Sequence, residues 1–216
     1  MRYKENETGT FGKASEMWLE AVRPKLKESS MVKYRNIIRV HLLPYFNGRS
    51  MAELDRRDIL SFCESLLYPG DGNDAKLAPK TTADIMAVLK AIYRFSAKSG
   101  SFENGISEWP SISQPRHPLK VLSQTEQGRL SAYLVQHPTL SNLGILFCLY
   151  TGIRIGEICA LRWADISTEE RSVQIRRTMQ RIQRNRQEGA KTEILISSPK
   201  SDSSVRKIPL PEELSR

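Results

Sequence analysis

The sequence predicts a mainly α-helical protein with a small antiparallel β-sheet towards its C-terminal end, divided into a helical bundle and a mixed second domain. Three observations carry this prediction. Apolar residues recur at helical spacing from about residue 10 to 100, a proline-punctuated stretch covers 101–120, and from Val173 onward apolar and polar residues alternate with the period of a strand.

Over Phe11–Lys27, the residues Ala14, Met17, Trp18, Ala21 and Val22 fall on one helical stripe. Ser29 and Ser30 are cap candidates for a second helix, in which Tyr34, Ile37, Ile38 and Leu42 recur until Pro44, expected to stop the run. Asp55 has the position of an N-cap for a third helix, with Ile59, Phe62, Leu66 and Leu67 inward and Pro69-Gly70 at its end. A fourth helix is expected to start near Thr81, to bury Ile85, Val88, Leu89, Ile92 and Phe95, and to close at Gly100. Pro110, Pro115 and Pro118 among Ser, Gly and Gln suggest an extended linker, which sets the expected domains at 10–100 and 121–216, joined by 101–120. Ser123 and Glu126 have capping-box spacing, so a helix is expected there. Leu140–Tyr150 is nearly all apolar, which implies burial on every side, and Gly152 separates it from a short amphipathic helix around Arg154–Leu161. VQIRRTMQRIQ, TEILIS and VRKIPLP are expected to form one three-stranded antiparallel sheet.

Composition narrows the function classes. The 216 residues carry 33 Lys+Arg against 24 Asp+Glu, a net charge of +9. Residues 1–115 hold 17 basic and 14 acidic side chains (+3), and 116–216 hold 16 and 10 (+6). A cationic surplus favours a polyanionic partner, because phosphates release condensed counterions when they are neutralised. Cys63, Cys148 and Cys159 make an odd count without a Cys-x-x-Cys pair, against a disulfide framework or a zinc site. The polar N-terminus is no signal peptide, and the apolar run Leu143–Tyr150 is far short of the roughly 20 residues that span a bilayer. A cytoplasmic protein without a membrane partner is expected.

Two constellations carry chemistry. In LFCLYTGIRIGEICALRWADIS, residues 146–167, a buried helix breaks at Thr151-Gly152 and the next turn presents Arg154 and Glu157 three residues apart. Glu157 can hold the guanidinium rigid for bidentate phosphate contact, or the pair can simply order the turn. In SSPKSDSSVRKIPLP, residues 197–211, Lys200 sits in a Ser/Asp-rich turn between strands, either to reach into a groove or, with Arg206 and Lys207, to form a solvated basic edge.

Leu149-Tyr150-Thr151-Gly152-Ile153-Arg154-Ile155-Gly156-Glu157, followed by Ala160-Leu161-Arg162-Trp163-Ala164-Asp165-Ile166, resembles the first-arginine motif of the tyrosine recombinases, the integrases of phages and conjugative transposons. Ser198-Pro199-Lys200-Ser201 through Arg206-Lys207-Ile208-Pro209-Leu210-Pro211 is similar to that family's β-hairpin with its catalytic lysine. Trp18-Leu19, Lys27-Glu28-Ser29, Lys33-Tyr34 and Lys80-Thr81 resemble its SAM-like four-helix core-binding domain. The resemblance implies site-specific DNA recombination through a 3′-phosphotyrosine, without metal or other cofactor. It implies that Arg154 binds the scissile phosphate, that Lys200 protonates the leaving 5′-hydroxyl and that Glu157 orients Arg154. Double-stranded DNA is the implied partner, with a tetramer of the full-length enzyme on two sites at the bacterial nucleoid. Lys33, Arg35 and Arg39 on the second helix, and Lys80, Lys90 and Arg94 around the fourth, are the DNA-contact candidates of the first domain.

The family pattern continues with a His-x-x-Arg motif, a further His or Trp and a nucleophilic Tyr. None of His41, His117 and His137 has Arg three residues on, and the last tyrosine is Tyr150. The 216 residues alone are therefore expected to bind DNA without cutting it, as an integrase fragment or, alternatively, as a non-catalytic protein that occupies recombination sites. A basic RNA-binding protein is disfavoured by only 7% aromatic residues.

Overall fold

In a computed structural model the chain forms two compact units, Met1–His117 and Pro118–Arg216, and the structure describes residues 9–68, 77–100, 105–115, 118–183, 192–199 and 202–214. The expected end of the third helix at Pro69-Gly70 lies outside the described residues.

Among the described residues, the regular elements of the first unit are helices: α1 (Phe11–Val22), α2 (Glu28–Ile37), α3 (Leu43–Phe46), α4 (Arg56–Leu67) and α5 (Pro79–Lys98). Phe11, Ala14, Ser15 and Trp18 bury one face of α1, the i, i+3, i+4, i+7 stripe of an amphipathic helix. Pro44 does not end the second helix. A π-helical stretch, Ile38–Leu42, carries it from α2 into α3, where Pro44 occupies the first turn. Proline lacks an N–H and its ring collides with the carbonyl four residues back; the widened turn moves that carbonyl aside. Asp55 caps α4 as expected: its Oδ1 accepts the Asp58 N–H at 2.9 Å, and Asp58 Oδ2 accepts the Asp55 N–H at 3.1 Å. The helix expected near Thr81 starts at Pro79, a residue suited to the first turn. Its Ile85, Val88, Leu89 and Ile92 enter a core closed by a tilted Phe11–Phe46 contact and an edge-on Phe46–Phe62 contact, with ring centroids 5.3 and 4.8 Å apart. Residues 105–115 lack regular structure, yet Ile106 is buried in this core and Trp109 stands edge-on to Tyr93 at 5.7 Å.

The second unit begins with α6 (Gln124–Gln136), where Ser123 Oγ accepts the Glu126 N–H at 3.3 Å and Glu126 Oε2 accepts the Ser123 N–H at 2.8 Å, the expected capping box. α7 (Leu140–Thr151) is not buried on every side: Leu146 and Phe147 are buried, while Leu140, Leu143, Ile145 and Tyr150 are exposed. Within this unit it packs against α6, the four-residue α8 (Ile155–Ile158) and, through Phe147, the core beside Val173 and Ile175, which leaves part of its circumference open. The expected single sheet is two. β1 (Ile166–Ser167), β2 (Ser172–Ile175) and β5 (Arg206–Pro209) pair antiparallel in the order β1-β2-β5, while β3 (Thr178–Gln183) and β4 (Thr192–Ser197) form a separate ribbon. The run VQIRRTMQRIQ leaves one sheet for the other at Arg176-Arg177, where Arg177 pairs with the buried carboxylate of Asp165 instead of continuing the ladder. Phe147, Ile153, Val173, Ile175 and Leu210 form the core of this unit. No described helix is long and apolar enough to cross a membrane.

Candidate functional site

The site is built at the break after α7. Gly152 adopts a left-handed conformation (φ 65°), closing α7 through its N–H to the Cys148 carbonyl at 2.9 Å and turning the chain back. Ile153 is buried in the core of the second unit, and Arg154 follows as the N-cap of α8. Gly156 allows the short helix to lie against β3: a Cβ there would stand 2.8 Å from the Met179 carbonyl oxygen and 2.7 Å from Thr178 Oγ1.

Glu157 is the pivot. Its side chain is only 3% exposed, and it accepts the Arg154 backbone N–H at 3.1 Å and Arg154 Nη1 at 3.0 Å. From β5, Arg206 grips the same carboxylate in a bidentate fork, Nη2 to Oε2 at 2.8 Å and Nη1 to Oε1 at 3.1 Å. The Arg206 fork, with the backbone and side-chain donors of Arg154, outweighs burial and holds the Glu157 carboxyl at about 2, well below the usual carboxylate range. Two guanidinium groups on one carboxylate leave a net charge of +1. The two differ in access: the Arg206 side chain is 30% exposed, whereas that of Arg154 is 72% exposed and its guanidinium bonds only Glu157 among the described residues. Such an arrangement presents a preorientated cation to an anion arriving from solvent.

These residues lie in a chain whose two halves each match a family. Residues 10–67 match the phage integrase N-terminal SAM-like domain, and residues 120–201 match the phage integrase family. The chain belongs to the phage integrase, or tyrosine recombinase, family. Prophage integrase IntR of Escherichia coli (strain K12) is 24% identical over 178 residues, covering 79% of this chain and 43% of the relative. A tyrosine recombinase XerC-like protein of Caldanaerobacter subterraneus is 24% identical over 217 residues, covering 95% of this chain and 53% of that one. This integrase-family chain thus spans about half the length of the curated relatives it matches. Its fold is that of the Tn1549 transposon integrase in complex with transposon right end DNA (TM-score 0.72, 19% identity, 94% of this chain and 62% of that one). It is also that of lambda integrase, solved as a tetramer bound to a Holliday junction (TM-score 0.64, 12% identity, 90% and 52%).

Of the residues singled out from sequence, Arg154 and Glu157 are brought together, and Lys200 lies outside the described residues. Arg206, read from sequence as part of a basic edge, turns inward. A signal was present, because Arg206 shares the period of Ile208 and Leu210, which pack on or within the core. Lys207 faces the other way and pairs with Glu170 at 2.6 Å. In the first unit the candidates separate into groups. Lys33 pairs with Asp84 of α5 at 2.9 Å. Arg35 and Arg39 line a shallow groove together with Lys13, Thr10 and Asn47. Lys80, Lys90 and Arg94 fall within roughly 80° of arc on α5 at about 100° per residue, with Lys90 over the Trp109 ring at 5.7 Å.

Proposed function

We propose that this chain is the DNA-gripping portion of a site-specific recombinase, holding duplex DNA through its phosphates and presenting Arg154 to the phosphate at which strands are exchanged. The observation that carries this reading is the contrast within one ion cluster: Glu157 is buried and already neutralised by Arg206, so Arg154 is not needed for internal charge balance and stays open to solvent. In this role Arg154 binds the non-bridging oxygens and stabilises charge that accumulates on phosphorus as the bond order changes. Lys200 donates the proton to the departing 5′-hydroxyl. Glu157 touches no reacting atom; it keeps the guanidinium of Arg154 aimed.

In the first unit, Arg35 and Arg39 around their groove, and Lys80, Lys90 and Arg94 along α5, supply phosphate contacts that set register without reading sequence. Lys33 contributes by exchanging Asp84 for a phosphate. The DNA-bound state of the Tn1549 and lambda integrases supports a duplex as ligand, and the lambda tetramer supports a four-protomer assembly of the full-length enzyme on two sites.

Removing one charge-assisted phosphate contact costs about 1.5–3 kcal/mol, so Arg154→Ala is expected to weaken duplex binding roughly 10- to 100-fold while the fold is retained. Fluorescence anisotropy with a labelled duplex, alongside circular dichroism, measures both. Unchanged affinity in a folded variant overturns the reading. No tyrosine follows Tyr150 in these 216 residues, so a suicide substrate is expected to give no covalent adduct with them.

A further inference from the structure

We infer that Arg206 is a positioning residue that sets the aim and availability of Arg154 through their shared partner, Glu157, without itself touching DNA. The inference rests on the reading of Arg154 as a phosphate contact and adds the residue on which that contact depends.

Three features of the geometry assign this role. The first is saturation. Arg206 spends Nη2 on Glu157 Oε2 and Nη1 on Glu157 Oε1, and Nη1 also donates to the Ser204 carbonyl at 3.0 Å. Arg154 gives Glu157 a single side-chain bond, through Nη1, and its Nη2 and Nε make no bond to that carboxylate.

The second is competition for one carboxylate. A buried Glu157 facing Arg154 alone would draw that guanidinium into its own bidentate pair, the geometry arginine and carboxylate prefer. The Arg206 fork occupies both oxygens and neutralises the charge, so Arg154 is kept at the rim by one side-chain and one backbone bond.

The third is rigidity of the support. Arg206 opens β5 opposite Ile175 of β2, and Ile175 is buried in the core of the second unit. The carboxylate that Arg154 leans on is thereby tied to the sheet as well as to its own short helix. A pre-ordered arginine loses less side-chain freedom when it meets a phosphate than a mobile one does.

A double-mutant cycle on duplex affinity tests the inference, using the whole chain with Arg154→Ala, Arg206→Gln, Arg206→Lys and the combinations. Arg206→Gln alone is expected to weaken binding about 10-fold, and to change it less than about 2-fold when Arg154 is already alanine, the signature of residues acting as one unit. Arg206→Lys preserves the charge and lacks the planar fork, so it is expected to fold with native melting behaviour yet recover only part of the affinity. The Arg154 Nε–Hε nitrogen-15 resonance, followed in Arg206→Lys, is expected to shift as the guanidinium turns from the rim into a closer pair with Glu157. Additive losses would show that Arg206 acts independently of Arg154 and overturn the inference while leaving the phosphate reading intact. Full affinity and an unchanged Arg154 resonance in Arg206→Lys would also overturn it. No effect of Arg154→Ala would instead remove the phosphate reading, and this inference with it.

Discussion

Glu157 concentrates the electrostatics of the second unit in one carboxylate. Its pKa, held at about 2 against an ordinary 4.5, makes it a depressed acid. The stabilisation is complete above pH 4.5 and is lost as pH falls towards 2. At 1.36 kcal/mol per unit the shift corresponds to about 3 kcal/mol. Because the side chain is only 3% exposed, solvent screens this little. Denaturant unfolding at a series of pH values is expected to show that loss between pH 4.5 and 2, and Glu157→Gln is expected to flatten this part of the profile while lowering stability at pH 7. A variant with the wild-type acid profile would contradict the assignment. At this scale the sequence was partly legible. Arg154 and Glu157 stand out by spacing, but the fork that completes the site comes from 49 residues away, a separation that no local spacing rule covers. Only the inward phase of Arg206 with Ile208 and Leu210 hints at it.

Among the elements, α8 depends on Gly156. Alanine in place of a helical glycine ordinarily stabilises by about 1 kcal/mol, but here its Cβ would meet the Met179 carbonyl oxygen of β3 at 2.8 Å, and backbone has little room to yield. Gly156→Ala is therefore expected to destabilise the second unit by about 1–3 kcal/mol, shown by an earlier transition in calorimetry, and to weaken duplex binding by displacing Arg154. Stabilisation by this substitution would contradict the packing. Elements with local chemical signals were readable: the Asp55 and Ser123 caps, and the stripe Ile85, Val88, Leu89, Ile92. Those decided by tertiary context were not. Pro44 passes because a π turn makes room for its ring. The alternation through Val173–Gln183 was correct in period, but the inward turn of Arg177 to Asp165 divides the run between two sheets.

For the whole molecule, the net charge of +9 is spread over two units, +4 on Met1–His117 and +5 on Pro118–Arg216. If about six cations reach phosphates, duplex affinity is expected to fall roughly a thousandfold between 50 and 200 mM salt; binding unaffected by salt would rule out a phosphate-led interface. The surplus could be read from sequence, but its availability could not, since Lys13, Lys33 and Lys207 each carry an acidic partner in the fold. Completion of the site is also a matter of timing. Synthesis at about 5–20 residues per second separates Glu157 from Arg206 by several seconds on the ribosome. During that interval the fork on Glu157 cannot close, because the strand that carries Arg206 has not yet been made.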